Sequence, residues 1–418
     1  MTLKDYRDHE ISGATSEARD AFEQALACFQ SWRTGAEGHL ARATLAAPAF
    51  TMAHVLGAYL FLCTRDVRRV RQARRIYLQA RSLPANAHEQ MHLEAIRAAL
   101  ADDLAACRGV LDSILEQYPR DVLALQVGHA LDYVTGDVER MGTCIAAVMP
   151  SWSQGVPGYS AVLAMQAFAS VERAQYEVAT EVGLEALELD PANARAHHAL
   201  THVYEMTQDP VGGMRFMRQR VGFWSAGTTV ATHCFWHWAL FHIAEGEHDA
   251  ALALYDERVR AGQSAEIADM IDASALLWRL EIAGADTGAR WRELASTWAE
   301  RADDGFCTFS DVHAMLALVG ARDWAQANRL ETELLRRRPF ATRHGETTRL
   351  IGLPACRGLI AFGRGRYARA VELLSALPAF AGRIGGSHAQ RDVLYLTLLE
   401  AIQRIRRPRV RAGALACA

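Results

Sequence analysis

Short breaks built from glycine, proline or aspartate punctuate this 418-residue chain almost from end to end. They fall at Pro48, Pro84, Pro119, Gly136-Asp137, Pro191, Gly246, Gly284, Gly320, Pro339, Gly365 and Gly385-Gly386. The spacing is often about 35 residues, which is the period of stacked helical hairpins. Between the breaks, apolar residues recur with the 3.6-residue helical period, and runs of β-branched residues are scarce. Ala, Leu, Arg and Glu dominate, as good helix formers do. Half of the residues are hydrophobic, enough for a large core. The pattern predicts an all-α chain: one continuous superhelix of helical hairpins over residues 1–403, followed by an Arg-rich tail over 404–418.

The clearest unit is AQYEVATEVGLEALELDP, residues 174–191. It resembles the second helix and closing proline of a tetratricopeptide repeat. The same rhythm returns in GEHDAALALY, starting at Gly246, and in GRYARAVELL, starting at Gly365. Ala186, Ala251 and Ala370 are small residues where two helices must come close. The predicted fold is therefore an α-solenoid of tetratricopeptide-like hairpins.

Composition narrows the function classes. The formal net charge is −3, with no basic footprint for nucleic acid or for an anionic membrane surface. The start, MTLKDYRDHEISG, is too polar for a signal peptide, and no apolar run reaches the roughly 18 residues of a membrane span. The eight cysteines are scattered with no CxxC pair, which argues for a reducing cytoplasm and against a zinc ribbon or a disulfide scaffold. Lys4 is the sole lysine, in a terminus expected to be loose. Its position leaves no P-loop lysine and no Schiff-base lysine, so neither a nucleotide nor pyridoxal phosphate is expected. No GxSxG, GxGxxG or HExxH motif is present.

The chemistry-bearing stretch runs from Pro191 to Asp256. In PANARAHHALTHVYEM, His198, His202 and Glu205 sit at i, i+4 and i+7. At about 100° per residue they share one narrow stripe. In the repeat register, Arg195 joins that stripe and all four face the concave groove, while Leu200 and Tyr204 take packing positions. In THCFWHWALFHIAEGEHDA, His233 and His237 form a second i, i+4 pair. His242 lands at a packing position and is expected to be structural. Cys234 faces away from His233, because adjacent helical residues diverge. Trp236 and Trp238 flank His237 as core residues, one of which could wall a pocket.

Neutral imidazoles and a carboxylate suit zinc, iron or manganese, and i, i+4 histidines can share one ion. His198, His202, Glu205, His233 and His237 are thus candidate ligands for one divalent metal, and candidate catalytic groups. Clustered imidazoles and carboxylates could also move protons without a metal. Arg195, Asp269, Asp272, Asp311, His388, Arg391 and Asp392 are candidates for positioning a substrate. The bland alternatives are core histidines, solvated acids and a plain helix cap at Ser387.

The runs HALTHVYEM, HCFWHWALFHIAEGEHDAALALYDE, SALLWRLEIAG, RIGGSHAQRDVLYLTLLEA and PAFTMAHVLGAYL resemble the tetratricopeptide repeat protein 38 family, over nearly the whole chain. The resemblance implies an all-helical solenoid and brings no reaction or catalytic residue with it. Two functions follow from the residues. One is a small-molecule enzyme in the groove, with hydrolysis favoured over elimination, rearrangement or oxidation. The other is a non-catalytic scaffold for a protein or peptide. Histidine, mostly uncharged at neutral pH, is a poor clamp for a peptide carboxylate, which favours the enzyme. A homodimer is left open.

Overall fold

The structure is a computed structural model that describes residues 3–406, except 65 and 340. Among these residues there is no β-strand, only the isolated bridges Lys4 with Glu10 and Arg33 with Thr228. The chain falls into two compact units. One runs to Leu276 and includes Gly382–Ala389; the other is Leu277–Ala381 with the chain from Gln390.

In the first unit consecutive helices pair as hairpins. Helix α1 (Ser16–Gln30) packs on α2 (Ala36–Ala46), α3 (Thr51–Leu62) on α4 (Val67–Ala80) and α5 (Ala87–Leu100) on α6 (Leu104–Gln117). The series continues with α7 (Val122–Thr135) on α8 (Val138–Val148), α9 (Tyr159–Glu172) on α10 (Tyr176–Leu189) and α11 (Ala194–Met206) on α12 (Pro210–Gln219). After the single turn α13 (Val221–Trp224), α14 (Ala231–Ala244) packs on α15 (His248–Leu254). The leading helices also stack on one another, α3 on α5, α7 on α9, α9 on α11 and α11 on α14. This is tetratricopeptide-like packing, in which each hairpin buries its apolar face on its neighbours.

Aspartate recurs at the breaks because it caps the next helix. Asp103, Asp121, Asp137 and Asp209 each accept a hydrogen bond from a backbone N–H in the first turn that follows. Gly136 ends α7 at φ +75°, and a Cβ there would meet the Gly382 carbonyl oxygen at 2.2 Å. Close helix approach rests on small residues, as the repeat pattern predicts: Ala186 and Ala251 are fully buried. At Gly183 a Cβ would lie 2.8 Å from Leu200, so α10 and α11 nearly touch there. The described start of the chain, from Leu3 on, is tied down rather than loose. Lys4 bridges Glu10, Arg7 donates to Glu23 at 2.8 Å, and Ile11 joins the core.

The unit boundary falls inside α16 (Ile267–Ile282) and inside α23 (His388–Arg406). In the second unit α17 (Arg290–Ala299) packs on α18 (Thr308–Gly320), and α18 on α19 (Trp324–Arg337). The short α20 (Arg343–Thr347) leads through a π-helical turn into α21 (Leu353–Gly363), which packs on α18 and on α22 (Tyr367–Leu374). Ala370 is fully buried in that last hairpin. The described start of the Arg-rich end is the last turn of α23, where Arg404 donates to Glu400 and to the Tyr367 hydroxyl. The rest of the expected tail, 407–418, lies outside the described residues.

Candidate functional site

Helix α11 owes its start to Asn193. The Asn193 Oδ1 accepts from the Ala196 N–H at 3.2 Å, and its Nδ2 donates to Ser160 Oγ of α9 at 2.8 Å. From that start, His198 and His202 fall on one stripe of α11 and meet His233 and His237 of α14. One ring nitrogen from each of the four lies within 4.8 Å of the others. The Nε2 atoms of His198 and His202 are 3.0 Å apart. Ring centroids are 4.3 Å apart for His202 and His237, and 4.9 Å for His198 and His233.

Carboxylates stand behind the α14 pair. His233 Nδ1 is 2.9 and 3.0 Å from the two oxygens of Asp272, which leaves its Nε2 to point elsewhere. His237 Nδ1 lies 2.7 Å from Glu205 Oε2. Glu205 therefore backs a histidine and stands outside the four-imidazole set. The walls are aromatic. Phe168 of α9 stacks on His198 at 5.6 Å, Trp236 stacks on His233 at 5.1 Å, and Trp32 lies 5.3 Å from His198.

The repeat register puts these groups on a groove, yet the structure encloses them. His202 and His237 have no exposed surface and His198 has 4%. Only His233, at 17% for its side chain, reaches towards solvent. Burial, and then the neighbouring imidazoles, hold His198 and His202 well below the ordinary histidine pKa. Both are neutral, with lone pairs to offer. Arg195 is also buried: its Nε donates to the Gln30 carbonyl at 3.1 Å and its guanidinium lies over Trp32 at 4.3 Å. No carboxylate among the described residues pairs with it. Burial pushes its pKa down to about 9, so it stays charged at neutral pH.

The remaining expected residues divide between the units. Asp272 joins the site through His233. Asp269 is half-buried beside it, its pKa raised by burial, which outweighs side-chain hydrogen bonds from Ser264 and Thr232. His388 Nε2 lies 3.8 Å from Glu172 Oε2. Asp311, Arg391 and Asp392 belong to the second unit, where His344 Nε2 contacts Asp311 at 2.8 Å and Arg279 pairs with Asp392. Cys234 is buried, and burial pushes its thiol well up, away from the thiolate that a nucleophile needs. His242 pairs with Glu247 at 2.6 Å.

Sequence reasoning passed over a second cluster. His88 and His92 of α5 both contact Asp121 Oδ2, at 2.5 and 2.8 Å, and all three are buried. The signal was present in AHEQMH, another i, i+4 pair. Trp32, Phe168 and Glu172 also went unread, since nothing local marks a residue that meets the site from another hairpin.

No protein-family model matches the chain. Among solved structures, a human IFIT1 dimer with m7Gppp-AAAA is similar at TM-score 0.39 and 13% identity, covering 94% of this chain and 87% of that one. A monomeric IFIT1 mutant with Gppp-AAAA gives 0.37 and 12%, over 94% and 95%. The P58(IPK) TPR domain gives 0.22 and 14%, over 95% and 100%. At such scores these likenesses bear on neither activity nor partner.

Proposed function

We propose that the chain is a metal-dependent small-molecule enzyme whose divalent ion sits among His198, His202, His233 and His237. The observation that carries this reading is the convergence of four ring nitrogens within 4.8 Å, with carboxylates against two of the rings. Metal-bound histidines characteristically lean on such carboxylates, which fix the tautomer and raise ligand basicity. Around an ion with bonds of about 2.0–2.1 Å, the ligand nitrogens stand roughly 3–4 Å apart. The Nε2 pair at 3.0 Å already fits that spacing.

Imidazole sets suit zinc and iron better than manganese, which prefers oxygen. Four histidines close a tetrahedral zinc site, whereas catalytic zinc keeps a position open. Iron held by the same four imidazoles would supply Lewis-acid or redox chemistry to a substrate oxygen. The ion would polarise the substrate oxygen or activate the water. Neutral His198 and His202 would supply lone pairs, Asp272 and Glu205 would orient the α14 rings, and the aromatic walls would keep bulk water out. We also read the chain as a member of the tetratricopeptide repeat protein 38 family. That assignment supplies no reaction, so the function rests on the site.

The test is elemental analysis of untagged protein. About one ion per chain is expected, lost in His198→Ala and in His237→Ala. Asp272→Asn and Glu205→Gln should weaken metal affinity by roughly 10- to 100-fold. A chain that stays metal-free after reconstitution with zinc and with iron would end this reading. The second reading would then stand: a protein- or peptide-binding scaffold, supported by the hairpin architecture itself. In that case His202→Ala would lower stability and nothing else.

A further inference from the structure

On the side of the quartet that faces α1 and α9, the charge balance is uneven. The acids, Glu205 and Asp272, lie against the α14 histidines. Across from them, Arg195 and His198 share the ring of Trp32, at 4.3 and 5.3 Å. They are i, i+3 on α11, so they project from one face of that helix. Arg195 is 5% exposed, and its only hydrogen bond among the described residues runs from Nε to the Gln30 carbonyl. A buried guanidinium without an anion is costly, because it has left water and gained no counter-charge. A divalent ion nearby would add to that cost.

A second buried polar group sits alongside. Gln126 Nε2 donates to the Phe29 carbonyl, the neighbour of the carbonyl that Arg195 takes. The Gln126 Oε1 is buried without a hydrogen-bond partner. Two polar side chains thus reach the same end of α1, and the donors to spare there are the terminal nitrogens of Arg195, since the free Gln126 Oε1 is an acceptor.

We infer that Arg195 is the anchor for the carboxylate of a small substrate whose apolar body lies against Trp32 and Phe168, beside the metal centre. The inference rests on the metal reading for the second point of attachment. With Nε committed to Gln30, the guanidinium keeps its two terminal nitrogens, a fork that matches a carboxylate. A phosphate dianion would want more donors than the two terminal nitrogens of Arg195 provide. The aromatic walls select an apolar or aromatic body. The ligand class is therefore a monocarboxylate with an apolar group.

The experiment uses the full, metal-loaded chain and calorimetric titration with benzoate, acetate and the neutral isostere benzamide. Benzoate is expected to bind at least roughly tenfold more tightly than benzamide, as a hydrogen bond between charged groups warrants. Arg195→Gln should erase that preference, and Arg195→Lys should restore part of it. Equal binding of benzoate and benzamide to the wild-type chain, or no binding of either carboxylate, would overturn the inference even if the variants fail to fold. Elemental analysis of the same sample reads the metal centre separately. Missing metal sinks the centre; a missing carboxylate preference in a chain that holds metal sinks the subsite alone.

Discussion

Two Nε2 atoms 3.0 Å apart cannot both present lone pairs to each other. Either one N–H lies between His198 and His202, or a cation does. The N–H of one neutral tautomer serves as well as a metal for that purpose and brings no charge into the buried place. Burial depresses both folded pKa values below the unfolded value of about 6.5. The unfolded state then binds more protons, so stability present above about pH 6.5 is lost as pH falls towards the folded values. Urea midpoints of the metal-free chain should drop from pH 7.5 to 5, and His202→Phe should drop less. His88, paired with Asp121 in the second cluster, has the opposite sign. Burial alone would lower the His88 pKa, but the Asp121 hydrogen bond and charge raise it. The His88 contribution is full below about pH 6.5 and is lost as pH rises through the folded value. Asp121→Asn, which breaks a buried ion pair, should cost roughly 3–5 kcal/mol at pH 6 and less at pH 9. An equal loss at both pH values would show that the pair is not charged.

At the scale of the helix, the quartet depends on where α11 begins and how near α10 it lies. Asn193 sets the start, with its side chain tied to Ala196 and to Ser160. Asn193→Ala should cost about 1–2 kcal/mol in urea unfolding. It should also weaken metal binding without touching a ligand, since Arg195 and His198 lie in the first turns it organises. Metal affinity unchanged in that variant would mean that packing alone positions α11. Gly183 controls the approach. A side chain there must displace Leu200, so Gly183→Val should destabilise by roughly 1–3 kcal/mol, read as a lower urea midpoint. The hairpins were legible at this scale because caps and small residues are local signals. Aspartates before α6, α7, α8 and α12 did what aspartate does at a helix start.

For the whole molecule, a ligand that binds only the folded state stabilises it in proportion to the logarithm of its concentration over Kd. If the quartet holds an ion, a strong chelator should lower the melting temperature, and re-added metal should restore it. At free metal about 1,000-fold above Kd the gain is about 4 kcal/mol. The His198→Ala chain should not respond to either treatment. A wild-type chain indifferent to the chelator would place the histidines among structural groups.

The sequence by itself determined the helices, their breaks and the pairing of neighbours, because each depends on residues a few positions apart. It also determined that His198 lies with His202 and His233 with His237, since a 3.6-residue period leaves no choice. Only the tertiary structure decided that these stripes meet and that Asp272 and Glu205 back the α14 pair. It alone enclosed a supposed groove behind Trp32 and Phe168. Among the described residues it left Arg195 without an acid, and it joined His88 and His92 to Asp121. Those outcomes depend on how successive hairpins are rotated against one another. Many side-chain contacts set that rotation together, and no local stretch encodes it.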